Sequence, residues 1–166
     1  MPVSKTPAGP RGHPDAQPRR STRRLNYTDL TLSECQVLLE SRDIGRIGWN
    51  AGGGPQILPV SYACVGDLIV FRTSPFGVLS ELVRPSQVVL EVDELDPARH
   101  TGWSVIVHGR AQAVASPALL THLWTVDGAE PWAGGVRNVF IGITAERVTG
   151  RSFGDLRSSR TQGVPG

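Results

Sequence analysis

IGRIGWNAGGGPQILPVSYACVGDLIVFRT, residues 44–73, carries three short apolar-rich runs separated by two turns. Ile44 to Trp49 alternates with period two, the pattern of a strand with one face on a core. Ala51 to Pro55 is a glycine-rich turn and Gln56 to Cys64 returns as a second strand, so these runs form a hairpin. Gly66-Asp67 is another tight turn, and Leu68 to Thr73 is the third strand.

The same reading extends outward in both directions. Upstream, Thr31 followed by Glu34 makes a capping box, and Leu32, Cys35, Val37, Leu38 and Leu39 supply an apolar stripe, predicting a short helix that ends near Arg42. Downstream, Phe76 to Val83 is compatible with a short helix stopped by Pro85. Val88 to Leu95 and Trp103 to Val114 are β-rich and joined by the polar loop Asp96 to Gly102. Ser116 and Pro117 give an N-cap followed by proline at the first helical position, with Leu119, Leu120, Leu123 and Trp124 as the buried face of that helix. After a loop from Asp127 to Gly135, a last strand runs from Val136 to Val148. About six strands with two or three short helices predict a mainly β domain, an antiparallel barrel decorated by helices.

A chain of 166 residues is the size of one domain. Its net charge of +2 hides an asymmetry. Residues 1–24 hold Lys5 and five arginines against Asp15 alone, while the remainder holds 11 Arg against 14 acids, so the basic balance belongs to the N-terminal stretch. That excludes a strongly basic nucleic-acid-binding face on the folded part. Residues 1–26 are rich in Pro, Gly, Ser, Thr and Arg with little to bury and are expected to be a disordered basic tail; a basic arm for nucleic acid or acidic lipid is the alternative. Residues 27–151 are expected to form the domain and 152–166 a flexible C-terminal tail. Cys35 and Cys64 have neither CxxC spacing nor a partner framework, which fits a reduced cytoplasmic chain. No run reaches the roughly 18 apolar residues a membrane helix needs, and no apolar stretch follows the N-terminal charges as a signal peptide would require.

Familiar chemistries find little support. His13, His100, His108 and His122 stand without other ligands at zinc spacing, so no metal site is expected. Gly52-Gly53-Gly54-Pro55 lacks the Lys-Ser/Thr of a phosphate loop. Asp93, Glu94 and Asp96 crowd carboxylates near a strand end, which could raise a pKa, but a solvated turn explains them as well. No catalytic residue is assigned.

What remains is an ordered series: Gly45-Arg46-Ile47-Gly48, PQILPVSY (55–62), LIVFRTS (68–74), VLEVD (89–93) and GWSVIVHG (102–109), followed by Pro131-Trp132 and a closing Val148-Thr149-Gly150. In order and spacing it resembles the pyridoxamine 5'-phosphate oxidase-like flavoproteins over roughly residues 28–151. The resemblance implies a six-stranded antiparallel split β-barrel of the FMN-binding type that forms a homodimer with flavin grooves between subunits. It implies that Leu58, Pro59, Val60, Ser61 and Tyr62 form the strand beside the flavin ring, with Pro59 where a ladder bond is missing. Phe71 lies next to the strand end Arg72, Thr73 and Ser74, which would hold the phosphate, arginine suiting bidentate contact. Trp103 and Ser104 would lie by the groove, and Trp132 and Arg137 could reach it from the partner subunit, Arg137 being equally readable as an ordinary surface arginine. Tyr62 and Phe71 could equally be core aromatics, and Trp103 a dimer-interface anchor. The chain departs from the family at Val78, which occupies the apparent place of a phosphate-contacting lysine; Lys5 is its one lysine, and Arg84 could compensate.

The resemblance therefore implies a flavin-dependent oxidoreductase using FMN on an unidentified small molecule, with FAD, deazaflavin or haem as alternative cofactors. A non-catalytic protein that sequesters flavin, deazaflavin or haem is the second expectation, and an empty structural barrel the third. Oxidation of pyridoxamine phosphate itself is not expected, since no basic cluster stands ready for a second phosphate.

Overall fold

Two devices place the first helix against the barrel. In the computed structural model, which describes residues 27–126 and 135–154, the capping box forms as expected: the Glu34 N–H donates to Thr31 Oγ1 (3.3 Å), while the Glu34 carboxylate accepts from the Thr31 N–H (2.8 Å). Helix α1 (Leu32–Glu40) ends two residues before the expected Arg42, with Ser41 as its C-cap. The Tyr62 hydroxyl then donates to the Leu39 carbonyl at 2.7 Å and ties the helix end to the sheet. At Gly150 an added Cβ would stand 2.6 Å from Cys35 Sγ, so glycine is what lets α1 lie this close to the last strand.

The strands are β1 (Tyr27–Asp29), β2 (Ile44–Ala51), β3 (Gly54–Val65), β4 (Leu68–Thr73), β5 (Ser86–Asp96), β6 (Thr101–Ala113) and β7 (Val139–Phe153), and helix α2 spans Pro117–Leu123. Their order is β1-β7-β4-β3-β2-β5-β6, and β6 also pairs with β7, so six strands close a ring in which every pair is antiparallel. Closure leaves no open edge around most of the sheet. Alternation puts Ile47, Tyr62, Phe71, Leu90, Val107 and Ile143 inside, each no more than 1 % exposed.

Three sequence expectations change. The short helix expected from Phe76 begins two residues later, as a 3-10 helix over Val78–Val83, sending Leu79 and Leu82 into the core. The short β1 carried no periodic signal, because three residues are too few to show one. The last strand begins at Val139 and continues through Phe153, beyond the expected tail boundary at 152. Residues 149–152 carry no apolar side chain, but Ser152 pairs with Thr28 on one side and Trp103 on the other, so the backbone ladder holds what hydrophobicity does not mark. The N-terminal stretch 1–26, the rest of the C-terminal one and Pro131-Trp132 lie outside the described residues.

Helix α2 starts as expected, with Ser116 accepting from the Leu119 N–H and Pro117 at the first helical position. Leu123 joins Val70 and Phe140 in a second cluster outside the barrel, with Leu119 and Leu120 packed against it. Trp124, expected on the buried face, is 55 % exposed. The helix has stopped by then, so Trp124 lies across the edge of the cluster instead of beneath the helix.

Candidate functional site

Strand β3 is paired on different sides along its length. From Gly54 to Ser61 it pairs with β2, and from Tyr62 to Val65 with β4. The Tyr62 N–H donates to the Asp43 carbonyl (2.8 Å), so strand geometry turns the backbone groups of residues 60 and 58 toward β2 and those of 57, 59 and 61 away from it. On that far side β4 has left β3: Arg72 and Thr73 pair with Phe140 and Val139 of β7. Residues 57–61 thus present a strand edge with no neighbour among the described residues. Pro59, opposite Arg46 in the register, sits where its missing N–H faces this open edge, as the sequence required.

Side chains near the edge divide by phase. Val60, Tyr62 and Phe71 point into the barrel, and Leu58 packs against the same core, so their side chains are spent on the core and the open edge is offered by the backbone groups of residues 57, 59 and 61. Burial pushes the Tyr62 phenol upward. Ser61 is half-buried and Pro59 exposed, both outside.

Arg72 ends β4 in a well-defined corner. Its guanidinium carbon lies 4.4 Å from the centre of the Trp124 ring and 5.4 Å from that of Phe140, and the two rings meet edge-on at 5.0 Å and 88°. Its Nε–H donates to the Arg137 carbonyl at 3.0 Å. No hydrogen bond joins its terminal nitrogens to any described side chain. Thr73 is buried, its hydroxyl near the Ser74 carbonyl at 3.4 Å, while the Ser74 hydroxyl accepts from the Phe76 N–H (3.2 Å). Val78 is exposed and Arg84 is exposed beyond the 3-10 helix; between Ser74 and Arg84 there is no cation. Arg137 contributes its carbonyl, and its half-buried side chain has a partner of its own.

Trp103 and Ser104 stand elsewhere. Phe71 pairs with Ile141, which pairs with Ala113, so the Arg72 end of the barrel is the C-terminal end of β6. Ten residues of strand back to Trp103 cover about 33 Å. The Trp103 ring is buried, its Nε1–H donating to Glu94 (3.3 Å) with the Arg42 guanidinium 5.6 Å from its centre; Ser104 faces outward, opposite Asp93 and Arg151. One subunit does not bring Trp103 and Arg72 together.

The crowded carboxylates prove to be structural. Asp93 pairs with Arg46 at 2.6 Å, Glu94 with Arg42, and Asp96 accepts from the Ala98 and Arg99 N–H groups (2.9 and 3.0 Å). His108 simply occupies β6 between Val89 and Arg147. Among the described residues no three His, Cys, Asp or Glu could hold a metal, and no helix is long and apolar enough to cross a membrane.

A feature the sequence did not announce is a groove of about 400 Å³ between α1, the β3–β4 turn and β7, lined in part by Leu39, Glu40, Cys64, Leu68 and Val148. It joins residues far apart in the chain, so no local pattern marks it. Burial, with Glu40 adding to it, raises the Cys64 thiol from 9.0 to about 11. An unfolded chain would release this proton first, so the stabilisation is intact at neutral pH and declines as pH climbs from about 9 toward 11; Tyr62 acts in the same direction. Cys64→Ala should flatten the alkaline fall of Tm across that window, and an unaltered slope would show that the thiol contributes nothing to it.

Comparison with known proteins places the chain's family and fold. Residues 31–152 match the family model described as pyridoxamine 5'-phosphate oxidase. An uncharacterized protein of Mycobacterium tuberculosis is 34 % identical over 136 residues, 78 % of this chain and 88 % of that protein. Among solved structures, the FAD binding protein from Mycobacterium smegmatis is 28 % identical with a TM-score of 0.65, covering 76 % of this chain and 98 % of that one. A conserved protein of unknown function from Corynebacterium diphtheriae is 29 % identical with a TM-score of 0.62, covering 77 % and 98 %. With a split barrel, an open β3 edge at Pro59 and a family match over most of its length, the chain belongs to the pyridoxamine 5'-phosphate oxidase family.

Proposed function

We propose that this protein is a flavin-dependent oxidoreductase that binds FMN in grooves between two copies of itself and acts on an unidentified small molecule in the cytoplasm. The observation that carries the reading is the juxtaposition of the unpaired β3 edge, residues 57–61, with the Arg72 end of β4. A planar ring with polar atoms along one edge needs backbone donors and acceptors in a row, and that edge supplies them; a phosphate needs a cation with free N–H groups, and Arg72 supplies those. Ser74 adds a hydroxyl. The relative from Mycobacterium smegmatis is described as FAD binding, which supports a flavin and keeps FAD beside FMN.

Bound flavin would supply the hydride or electron transfer. The chain's own part is to hold the ring along β3, anchor the phosphate at Arg72 and exclude water. On the role that the family resemblance implies for Trp103 and Ser104, these residues serve the groove at Arg72 from a second copy. The two unpaired thiols, Cys35 and Cys64, fit a reducing compartment.

A second reading, a flavin-, deazaflavin- or haem-sequestering protein without turnover, is favoured by exposed Val78 in place of a cation. One missing charge-assisted contact removes about 1.5–3 kcal/mol, one to two decades of affinity. The absorption spectrum of the purified dimer separates cofactors, with bands expected near about 370 and 450 nm for flavin. Reduction of the bound flavin by NAD(P)H or reduced deazaflavin, followed by reoxidation with an acceptor, then supports the enzyme; stable binding without turnover supports the carrier. A monomer that takes up neither flavin, deazaflavin nor haem would overturn both.

A further inference from the structure

We infer that Trp124 is a positioning residue for phosphorylated ligands, acting through Arg72. The inference rests on the flavin reading above and adds to it a part of the molecule, helix α2, that the family resemblance did not assign. An arginine at a strand end normally samples many rotamers, and a phosphate must then select one of them at an entropic cost. Here three contacts define the plane and direction of the guanidinium: the Trp124 face at 4.4 Å, the Phe140 ring at 5.4 Å and the Arg137 carbonyl on Nε at 3.0 Å. Nε being the nitrogen engaged, the terminal pair is left to meet two phosphate oxygens side by side.

Phe140 belongs to β7 and is fully buried, so it is part of the barrel wall. Trp124 is different. It is 55 % exposed and sits at the C-cap of a helix of seven residues, held down by Leu123 and its neighbours on Val70 and Phe140. A ring so exposed adds little to the core; it meets Phe140 edge-on and has the Arg72 guanidinium over its face. Helix α2 thus acts as a bracket whose end holds the arginine in the orientation a phosphate requires.

The test compares FMN with riboflavin, which is the same ring without the phosphate, on the dimer carrying Trp124→Leu, with Trp124→Phe as the conservative variant. Trp124→Leu should weaken FMN binding about tenfold, the scale of a partly desolvated cation–π contact, while riboflavin affinity stays within error and Tm falls only modestly, and Trp124→Phe should restore most of the loss. Slow solvent exchange of the Arg72 Nε–H, read by NMR without any ligand, should become fast in Trp124→Leu. Equal losses for FMN and riboflavin, or an unchanged Nε–H, would overturn the inference and leave the flavin reading standing. Failure of the unmutated protein to bind either flavin would instead remove the flavin reading, with the exchange measurement still deciding whether Trp124 orders Arg72.

Discussion

Gly109→Ala should leave the chain largely unfolded or insoluble. A Cβ at this position would stand 2.3 Å from the Thr144 carbonyl oxygen and 3.1 Å from its carbon, contacts that real side chains do not make. Both are backbone atoms. The site is also where the β6–β7 register shifts, between His108 and Gly109, and the two strands cannot separate there without opening the barrel. Relief requires moving two paired strands that carry Val107 and Ile143, both fully buried. Overpacking of a core by one methyl costs about 1–3 kcal/mol when side chains can adjust, and more where backbone must move, against a total stability of about 5–15 kcal/mol. Gly53→Ala is the control, since nothing lies within 4 Å of its Cβ position; it should match the parent in denaturant midpoint or exceed it slightly. A Gly109→Ala protein as stable as the parent would mean that β6 and β7 do not approach as described.

Arg72→Ala should lower FMN affinity by one to two decades while sparing riboflavin. Arg72 is the one cation within β4, and Val78 offers no charge, so its removal takes a charge-assisted contact from a phosphate, about 1.5–3 kcal/mol. Because Arg72 also packs between Trp124 and Phe140, a modest fall in Tm should accompany the change as α2 loosens. The ratio of the two ligand affinities isolates the phosphate contribution from that loosening. If riboflavin and FMN lose affinity alike, Arg72 supports the fold rather than the ligand. Unchanged FMN affinity would remove Arg72 from the site.

Much of the scaffold was legible because it rests on local rules. Thr31 with Glu34 marked a helix start, Ser116-Pro117 marked another, and period-two runs with Gly66-Asp67 between them marked the strands. Pro59 was also readable, since a proline inside a strand demands an open edge wherever its N–H would have pointed. The candidate site was legible to a lesser degree. Residue types at 58–62 and 72–74 came from resemblance, and the phase of the strand then showed that Tyr62 and Phe71 spend their side chains on the core. Trp124 looked like part of an apolar helix face, since Leu119, Leu120 and Leu123 lead up to it at helical spacing. Nothing in that spacing says that the helix stops at Leu123 and that the next ring meets an arginine from a strand 52 positions earlier.

Alternation, capping and turn chemistry are properties of neighbouring residues, so the amino-acid order alone settled that this chain forms short antiparallel strands with small helices at the margins. Ring closure by β6 on β7, the divergence of β4 from β3 that leaves residues 57–61 unpaired, the corner around Arg72 and the separation of Trp103 from it were decided only in three dimensions. Each of those joins segments far apart along the chain, through contacts governed by packing volume and strand register, and neither quantity is written in any local window of sequence.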